Sequence, residues 1–250
     1  MRELFTLWKD IRLVVLTSVL AALHAAAVIP FKPIQLLPGV TDLRPGMALP
    51  IVFSLLFGPA AAWGAALGNT ISDLFGTLGP GSLFGFAGNL LYGYLPHRIW
   101  RAWRKDPPSF RSAADWAVYG LGLAAASGSC ALVIAWGVHF LQLYPFVSTA
   151  SIVLVNNVLV GLVLGPPLYL ALRPRVAALD LGPHDQEAPR DRAAASRKAL
   201  SRAGGLLAAA VSLGGLGAGY AAWAAGSPDA ALALAVAPFV VGTVAAACLS

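Results

Sequence analysis

The sequence predicts an all-α membrane protein with about eight transmembrane helices. Of its 250 residues, 58% are hydrophobic and 11% are charged, whereas soluble domains carry about 25% charged residues. The apolar residues form runs of about 20, the length at which a helix crosses the hydrocarbon core. Alternating segments of about ten residues, typical of a membrane β-barrel, are not found in the sequence. Helices are therefore favoured, because they satisfy their own backbone hydrogen bonds in lipid.

The predicted spans form a six-helix body followed by a C-terminal two-helix hairpin. They lie at 12–30, 45–58, 60–76, 82–100, 114–141, 148–172, 203–225 and 230–249. The second and third spans meet at a tight turn, Gly58-Pro59, and the turn formers of 226–229 join the last two. The expected domains are the body at 1–173, a polar cytoplasmic linker at 174–202 and the hairpin at 203–250.

The basic residues predict the orientation of these spans. If eight spans alternate, all 17 lysines and arginines fall on one side except Lys32 and Arg44. The positive-inside rule then places both termini in the cytoplasm. The net charge of +6 therefore indicates topology and not nucleic-acid binding. The first span also has the basic start and apolar run of a signal peptide, but its run is long for that role.

The stretch GNTISDLFG, residues 68–76, places polar groups within a predicted span. Asn69 and Asp73 lie four residues apart and share one helical face. A charged side chain at mid-bilayer costs about 2.5–3.5 kcal/mol and usually faces the bundle interior. Asp73 is either a hydrated, interfacial residue or part of a binding pocket open to the outside. The second interpretation predicts that Asp73→Asn abolishes substrate binding and leaves the chain folded.

Other polar residues of the spans could line the same pocket. Ser82, Asn89 and Tyr92 lie in the fourth span. Asn156 and Asn157 lie in the sixth, where adjacent residues point about 100° apart, so we expect one of them to face the pocket. Amides in a bilayer also hold helices together, which is the alternative for each of them.

The first external loop and the first span carry two further candidate features. The loop 30–50 contains five prolines with Asp42 and Arg44, which fits either a stiff lid over a pocket or an ordinary connector with a local ion pair. In the first span, small residues recur at spacing four. They form a face for close packing against a partner or within this chain: Ala21 with Ala25, and Ser18 with Ala22 and Ala26.

Several motifs are missing from the sequence. It has no P-loop for ATP hydrolysis and no H-E-x-x-H zinc motif. The four histidines are dispersed, and both cysteines lie in apolar runs. We therefore expect no enzymatic activity, no cofactor and no metal in this chain.

The stretch 39–100 resembles the substrate-binding S-components of energy-coupling factor (ECF) transporters, nearest to the queuosine-precursor and related vitamin types. The residues that carry the resemblance are Arg44-Pro45, Leu49-Pro50, Phe57-Gly58-Pro59, Gly68-Asn69 with Asp73, and Gly88-Asn89. The C-terminal hairpin departs from the six-helix pattern of that family.

The resemblance implies a subunit of an ATP-driven importer in a bacterial plasma membrane. Such a subunit is surrounded by membrane lipid and binds a vitamin-like or heterocyclic small molecule near the outer face. It docks a transmembrane T-component, which couples to two ABC-type ATPases. The implied substrate-binding residues are Asp42, Arg44, Asn69, Asp73, Ser82, Asn89, Tyr92 and Asn156. The implied docking residues are Ala21, Ala22, Ala25 and Ala26.

Three other functions are compatible with parts of the sequence. An ion-coupled secondary transporter would need an inverted repeat and acids near the midplane, and neither is evident. An intramembrane enzyme would need His24 or His139 beside Asp73. In a membrane scaffold the polar groups would only hold helices together.

Overall fold

The computed structural model describes residues 2–37, 41–42, 44–179 and 192–249. This part of the chain is almost entirely helical. The helices are α1 (Arg2–Thr6), α2 (Ile11–Val28), α3 (Ala48–Phe57), α4 (Pro59–Asp73), α5 (Ser82–Trp103), α6 (Ala113–Phe140), α7 (Phe146–Ala178), α8 (Arg192–Ala224) and α9 (Asp229–Leu249).

A small sheet interrupts the helical pattern in the first loop. Strand β1 (Gln35–Leu37) pairs antiparallel with β2 (Thr41–Asp42). The two strands comprise five residues of the proline-rich loop, where the sequence predicted no continuous helix. The fold class of the described chain remains helical.

Helices lie at all eight predicted span positions. Within the described ranges, five stretches are long and apolar enough to cross a membrane by length and composition: Ile11–Phe31, Ala113–Phe140, Phe146–Ala178, Ala199–Ala224 and Asp229–Leu249. Helices α3 and α4 have 10 and 15 residues, which is short for a full crossing. Helix α5 has 22 residues but carries Asn89, two tyrosines and His97, and it lies outside that set.

A glycine turn separates α3 from α4, as the sequence predicted. Gly58 adopts a φ of 62°, a conformation that glycine reaches without steric cost. Pro59 then occupies the first turn of α4, where its missing N–H leaves no helical bond broken. A Cβ on Gly58 would also lie 3.0 Å from the His97 ring.

Helices α2 and α4 pack at close range because α4 presents glycines. A Cβ at Gly64 would lie 2.7 Å from Leu20 Cβ, and one at Gly68 would lie 2.7 Å from the Ala21 carbonyl oxygen. Ala21 and Ala25 are each 3% exposed on this side of α2. The close approach holds the end of α4 that carries Asn69 and Asp73 against α2.

The C-terminal hairpin packs against α5 and α6. Ala208, Leu216 and Val236 belong to the same hydrophobic core cluster as Leu95 and Leu132. At the ends, Trp136 Nε1 donates to the Ala233 carbonyl at 3.0 Å, and Arg202 Nε donates to the Ala102 carbonyl at 2.8 Å. The middle of the predicted linker, 180–191, lies outside the described residues, while α7 and α8 extend into its two ends.

Candidate substrate-binding site

A cavity of about 280 Å³ lies where α4 ends and α5 begins. Residues from α4, α5, α6, α7 and three connecting loops form its wall. They are Arg44, Met47, Asn69, Asp73, Thr77, Gly79, Pro80, Gly81, Ser82, Gly85, Asn89, Cys130, Ile134, Val138, Leu143, Tyr144, Val153, Asn156 and Asn157. Six of the eight predicted substrate-binding residues therefore meet here: Arg44, Asn69, Asp73, Ser82, Asn89 and Asn156.

Asp73 is the centre of a buried ionic network on one wall. Lys32 Nζ donates to its Oδ1 at 3.0 Å, Thr77 Oγ1 donates to the same oxygen at 2.9 Å, and Asn69 Nδ2 donates to Oδ2 at 3.1 Å. Lys32 also donates to Thr77 Oγ1 at 2.5 Å. The side chains of Lys32 and Asp73 are only 4% and 5% exposed. A buried carboxylate is stable here because a cation and three hydrogen bonds satisfy it.

Arg44 joins the first external loop to two helices. Its Nη1 donates to Asn69 Oδ1 at 2.6 Å, and its Nη2 lies 3.8 Å from Asp73 Oδ1. On the other side, Arg44 N and the Arg44 carbonyl pair with Oδ1 and Nδ2 of Asn156, both at 3.4 Å. Arg44 and Lys32 thus hold both ends of the loop against α4 and α7. We call the set Lys32, Arg44, Asn69, Asp73 and Thr77 the latch network.

Asn89 and Asn157 also line the cavity, and each keeps a polar atom without a partner among the described residues. Asn89 Nδ2 donates to the Gly85 carbonyl at 2.8 Å, so its amide is oriented with Oδ1 as the remaining acceptor. Neither Asn89 Oδ1 nor Asn157 Nδ2 has a hydrogen-bond partner among the described residues. The two residues are 1% and 2% exposed. Leaving such a group unpaired costs about 1–3 kcal/mol. We call Asn89 and Asn157 the amide wall.

The rest of the cavity surface is largely apolar. Met47, Cys130, Ile134, Val138 and Val153 contribute to it. Binding pockets for small molecules usually combine such a lining with a few placed polar groups. A neutral, mostly apolar molecule with hydrogen-bonding edges would match both parts of the surface.

Two predicted site residues, Tyr92 and Ser82, form hydrogen bonds within or next to the cavity wall. Tyr92 is fully buried outside the cavity lining, and its hydroxyl lies 3.2 Å from the Met47 carbonyl and 3.3 Å from the Asn157 carbonyl. Ser82 lines the cavity and accepts a hydrogen bond from Gly79 N at 3.3 Å. The side chain of Asp42 lies outside the described part of the chain.

Sequence reasoning missed three residues of the site. Lys32 was noted only as an external cation, and its contact with Asp73 spans 41 positions. Thr77 was overlooked, although it follows Asp73 by four residues at the end of α4. Asn157 lines the cavity beside Asn156, whereas we expected one of the pair to do so. The cavity reaches far enough around α7 to contact both.

A family model described as QueT transporter matches residues 14–174. The chain belongs to the QueT transporter family. This family consists of ECF transporter S-components for queuosine precursors, which are transport subunits and not enzymes. No curated protein and no solved structure matches the chain.

The match to QueT transporters covers α2 to α7 and contains every residue that lines the cavity. Helices α8 and α9 lie beyond it. The site therefore belongs to the part of the chain that the family defines, and the hairpin is an addition to that part.

The two small-residue faces of α2 differ in exposure. Ala21 and Ala25 are buried against α4, whereas Ser18, Ala22 and Ala26 are exposed. The exposed alanines lie beside Val15, Val19 and Leu23, which are 48–57% exposed. Within the described bundle, the Ala22–Ala26 face is thus the one that an external helix could reach.

Proposed function

We propose that this chain captures a queuosine precursor or a related nucleobase-like heterocycle for an ATP-driven ECF importer. The observation that carries the proposal is the amide wall: Asn89 Oδ1 and Asn157 Nδ2 are buried, unpaired, and part of residues lining a cavity in the region shared with QueT transporters. An acceptor and a donor of this kind suit the hydrogen-bonding edge of a heterocycle.

The size of the cavity supports a compact substrate. Ligand pockets usually enclose about 300–1,000 Å³, and this one encloses about 280 Å³. A flat base would fit such a volume better than a nucleoside carrying further groups. Met47 and Ile134 would cover its faces, and the amides would contact its polar edge.

The distribution of charge supports an outward-facing cavity. The cavity lies at the end of the bundle that carries Lys32 and Arg44, and the other basic residues lie in segments toward the opposite end. The positive-inside rule places that opposite end, with both termini, in the cytoplasm of the cell. The substrate then enters from outside the plasma membrane.

The latch network supports a lid role for the loop between α2 and α3. Lys32 and Arg44 bracket the loop, and both contact residues of α4. Breaking these contacts would free the loop to open over the cavity. Asp73 then acts on binding through the loop, as a positioning residue, and the amide wall contacts the substrate.

Transport against a gradient needs an energy source, and the sequence contains no P-loop. A T-component with ABC-type ATPases would supply it. The Ala22–Ala26 face of α2 is our proposed docking surface, because Ala21 and Ala25 are buried within the bundle. Helices α8 and α9 cover α6 and leave α2 accessible.

Docking can be tested with paired substitutions on α2. We expect Ala22→Leu/Ala26→Leu to prevent co-purification with the T-component and ATPases while substrate affinity stays within about twofold of wild type. The matched control is Ala231→Leu/Ala235→Leu, which enlarges two exposed alanines at the same spacing on α9. An intact complex with both pairs would refute this docking surface.

Substrate binding can be tested by calorimetric titration of the purified full chain with a queuosine precursor. We expect saturable binding that Asn157→Leu weakens about 10- to 100-fold, as lost hydrogen bonds to a buried polar group predict. Thr243→Val is the matched control, since Thr243 Oγ1 is also buried and unpaired but lies in α9. Equal affinity of the wild type and Asn157→Leu would contradict the proposal.

A further inference from the structure

A second cavity, of about 490 Å³, lies at the other end of the bundle. The ends of α3, α5 and α7 and the connection between α5 and α6 enclose it. Gly85, in the first cavity, and Arg101, in the second, lie on the same helix about 24 Å apart at a rise of about 1.5 Å per residue. The two cavities are therefore separate sites.

The lining of this second cavity is strongly basic. Arg101, Arg104, Lys105 and Arg173 contribute to it, against the single carboxylate of Asp106. Like charges that share one enclosed space repel each other, so such a cluster favours an anion between them. The composition of the wall therefore suggests a negatively charged ligand.

One of the four cations is already neutralised. Arg104 Nη2 lies 2.5 Å from Asp115 Oδ1, and Ser109 and Phe110 donate backbone N–H groups to the other oxygen of Asp115, each at 3.1 Å. Asp115 is 2% exposed and fully used by these donors. Its charge is therefore committed to Arg104.

The other three cations have no carboxylate within salt-bridge distance in the described part of the chain. Arg173 Nη1 has a weak contact, at 3.4 Å, with the Pro108 carbonyl. Arg101 and Lys105 are exposed at the rim, and Arg173 is half-buried. Their positive charge remains available to a ligand that enters the cavity.

A buried histidine adds an independent indication. His97 lines the cavity, is 3% exposed, and its Nε2 has no hydrogen-bond partner among the residues described. Its backbone N–H donates to Ser54 Oγ at 3.0 Å, which fixes this turn of α5. An unpaired ring nitrogen beside three cations can donate to an anionic oxygen.

The cavity also has an apolar side. Leu55, Leu56 and Val176 line it, and Trp100 and Tyr169 contribute aromatic rings. Basic pockets between membrane helices at the cytoplasmic side are known to hold anionic lipid headgroups. The combination of a cationic rim and an apolar wall matches a phosphate group attached to an acyl chain.

We propose that this cavity binds the phosphate group of an anionic phospholipid through Arg101, Lys105, Arg173 and His97. The inference does not depend on the ligand of the first cavity. Binding would fix the relative positions of α3, α5 and α7 at the end of the bundle opposite the substrate cavity.

Native mass spectrometry of the delipidated full chain tests the proposal. The probes are phosphatidylglycerol, phosphatidylcholine and inorganic phosphate. We expect one phosphatidylglycerol to be retained in preference to phosphatidylcholine, and Arg101→Gln/Arg173→Gln to weaken that retention at least about tenfold. The matched control, Arg111→Gln/Arg175→Gln, removes the same charge from exposed residues that do not line the cavity and should retain the lipid.

The remaining outcomes each decide the question. If inorganic phosphate displaces the lipid and occupies the cavity to the same extent, the ligand is a soluble phosphate. The proposal that the cavity recognises phosphate is then supported, and the lipid source is refuted. If both double variants lose the lipid equally, general surface charge is responsible and the site is refuted.

If Arg101→Gln/Arg173→Gln does not fold, the single variant Arg101→Gln replaces it, because Arg101 is exposed. Unchanged lipid retention in Arg101→Gln refutes the site. Substrate titration of the same variants should be unchanged, which separates this site from the first cavity.

Discussion

The latch network and the amide wall of the first cavity differ in how fully their hydrogen-bonding groups are satisfied. In the latch network, both oxygens of Asp73 accept hydrogen bonds, and Lys32 and Arg44 lie beside it. In the amide wall, Asn89 and Asn157 each keep an unpaired polar atom. A satisfied network stabilises the fold, whereas buried unpaired atoms cost stability unless a ligand supplies the missing partner. Stability and affinity should therefore respond differently on the two walls.

The largest effect is expected from breaking the ion pair of the latch network. Lys32→Met leaves the Asp73 carboxylate buried without its nearest cation, which costs about 3–5 kcal/mol when one partner of a buried pair is removed. Thermal unfolding of the purified chain should show the lower stability, and substrate affinity should fall because the loop is released.

The double variant Lys32→Met/Asp73→Leu serves as the control for that result. Removing both charges avoids a buried unpaired ion, so the double variant should recover most of the lost stability. If the effects of the two substitutions simply add, the ion pair does not stabilise the chain and the latch interpretation fails.

The pairing with Lys32 also changes the expected effect of Asp73→Asn. From the sequence alone we predicted lost binding in a folded chain. In the structure, the substitution replaces the buried carboxylate that Lys32 Nζ contacts at 3.0 Å with a neutral amide, and the Lys32 side chain is itself 4% exposed. We now expect reduced stability together with reduced affinity, which unfolding and titration of the same sample would separate.

The second-largest effect is expected on the amide wall, with the opposite signature. Asn89→Leu removes the buried unpaired Oδ1, which favours stability, and also the Nδ2 hydrogen bond to the Gly85 carbonyl. The two effects oppose each other, so the ligand-free chain should stay within about 1 kcal/mol of wild type. Substrate affinity should fall about 10- to 100-fold, because a hydrogen bond to the ligand is lost. Reduced stability with unchanged affinity would assign Asn89 to helix packing instead.

A smaller effect is expected at Tyr92, which lies beneath the cavity. Its hydroxyl bonds to the Met47 and Asn157 carbonyls, so Tyr92→Phe should lower the unfolding free energy by about 1 kcal/mol. Since Tyr92 does not line the cavity, affinity should change less than about threefold. A loss comparable to that of Asn89→Leu would show that the ring contacts the substrate.

Much of the fold could be predicted from the sequence because each helix carries its own signal. Apolar runs gave all eight helix positions, and Gly58-Pro59 gave the break between α3 and α4. The shared face of Asn69 and Asp73 followed from helical spacing alone. In these cases the deciding residues are neighbours in the chain.

The parts that could not be predicted depend on contacts between distant segments. Lys32 reaches Asp73 because α2 and α4 pack side by side, which brings the segment after α2 to the end of α4. The choice between the two alanine faces of α2 depends on which side meets Gly64 and Gly68, and the packing of the hairpin on α6 depends on small residues at the contact. Periodicity within one helix contains none of this information.

The most direct test of the account compares ligand-induced stabilisation in wild type and Asn157→Leu. Unfolding of each purified chain would be measured without ligand and with a queuosine precursor at about 100 times the wild-type Kd, where binding adds about 2.7 kcal/mol. We predict that Asn157→Leu is at least as stable as wild type without ligand and loses most of the ligand-induced gain. An unchanged gain in Asn157→Leu would contradict the assignment of the amide wall as the substrate-recognition surface.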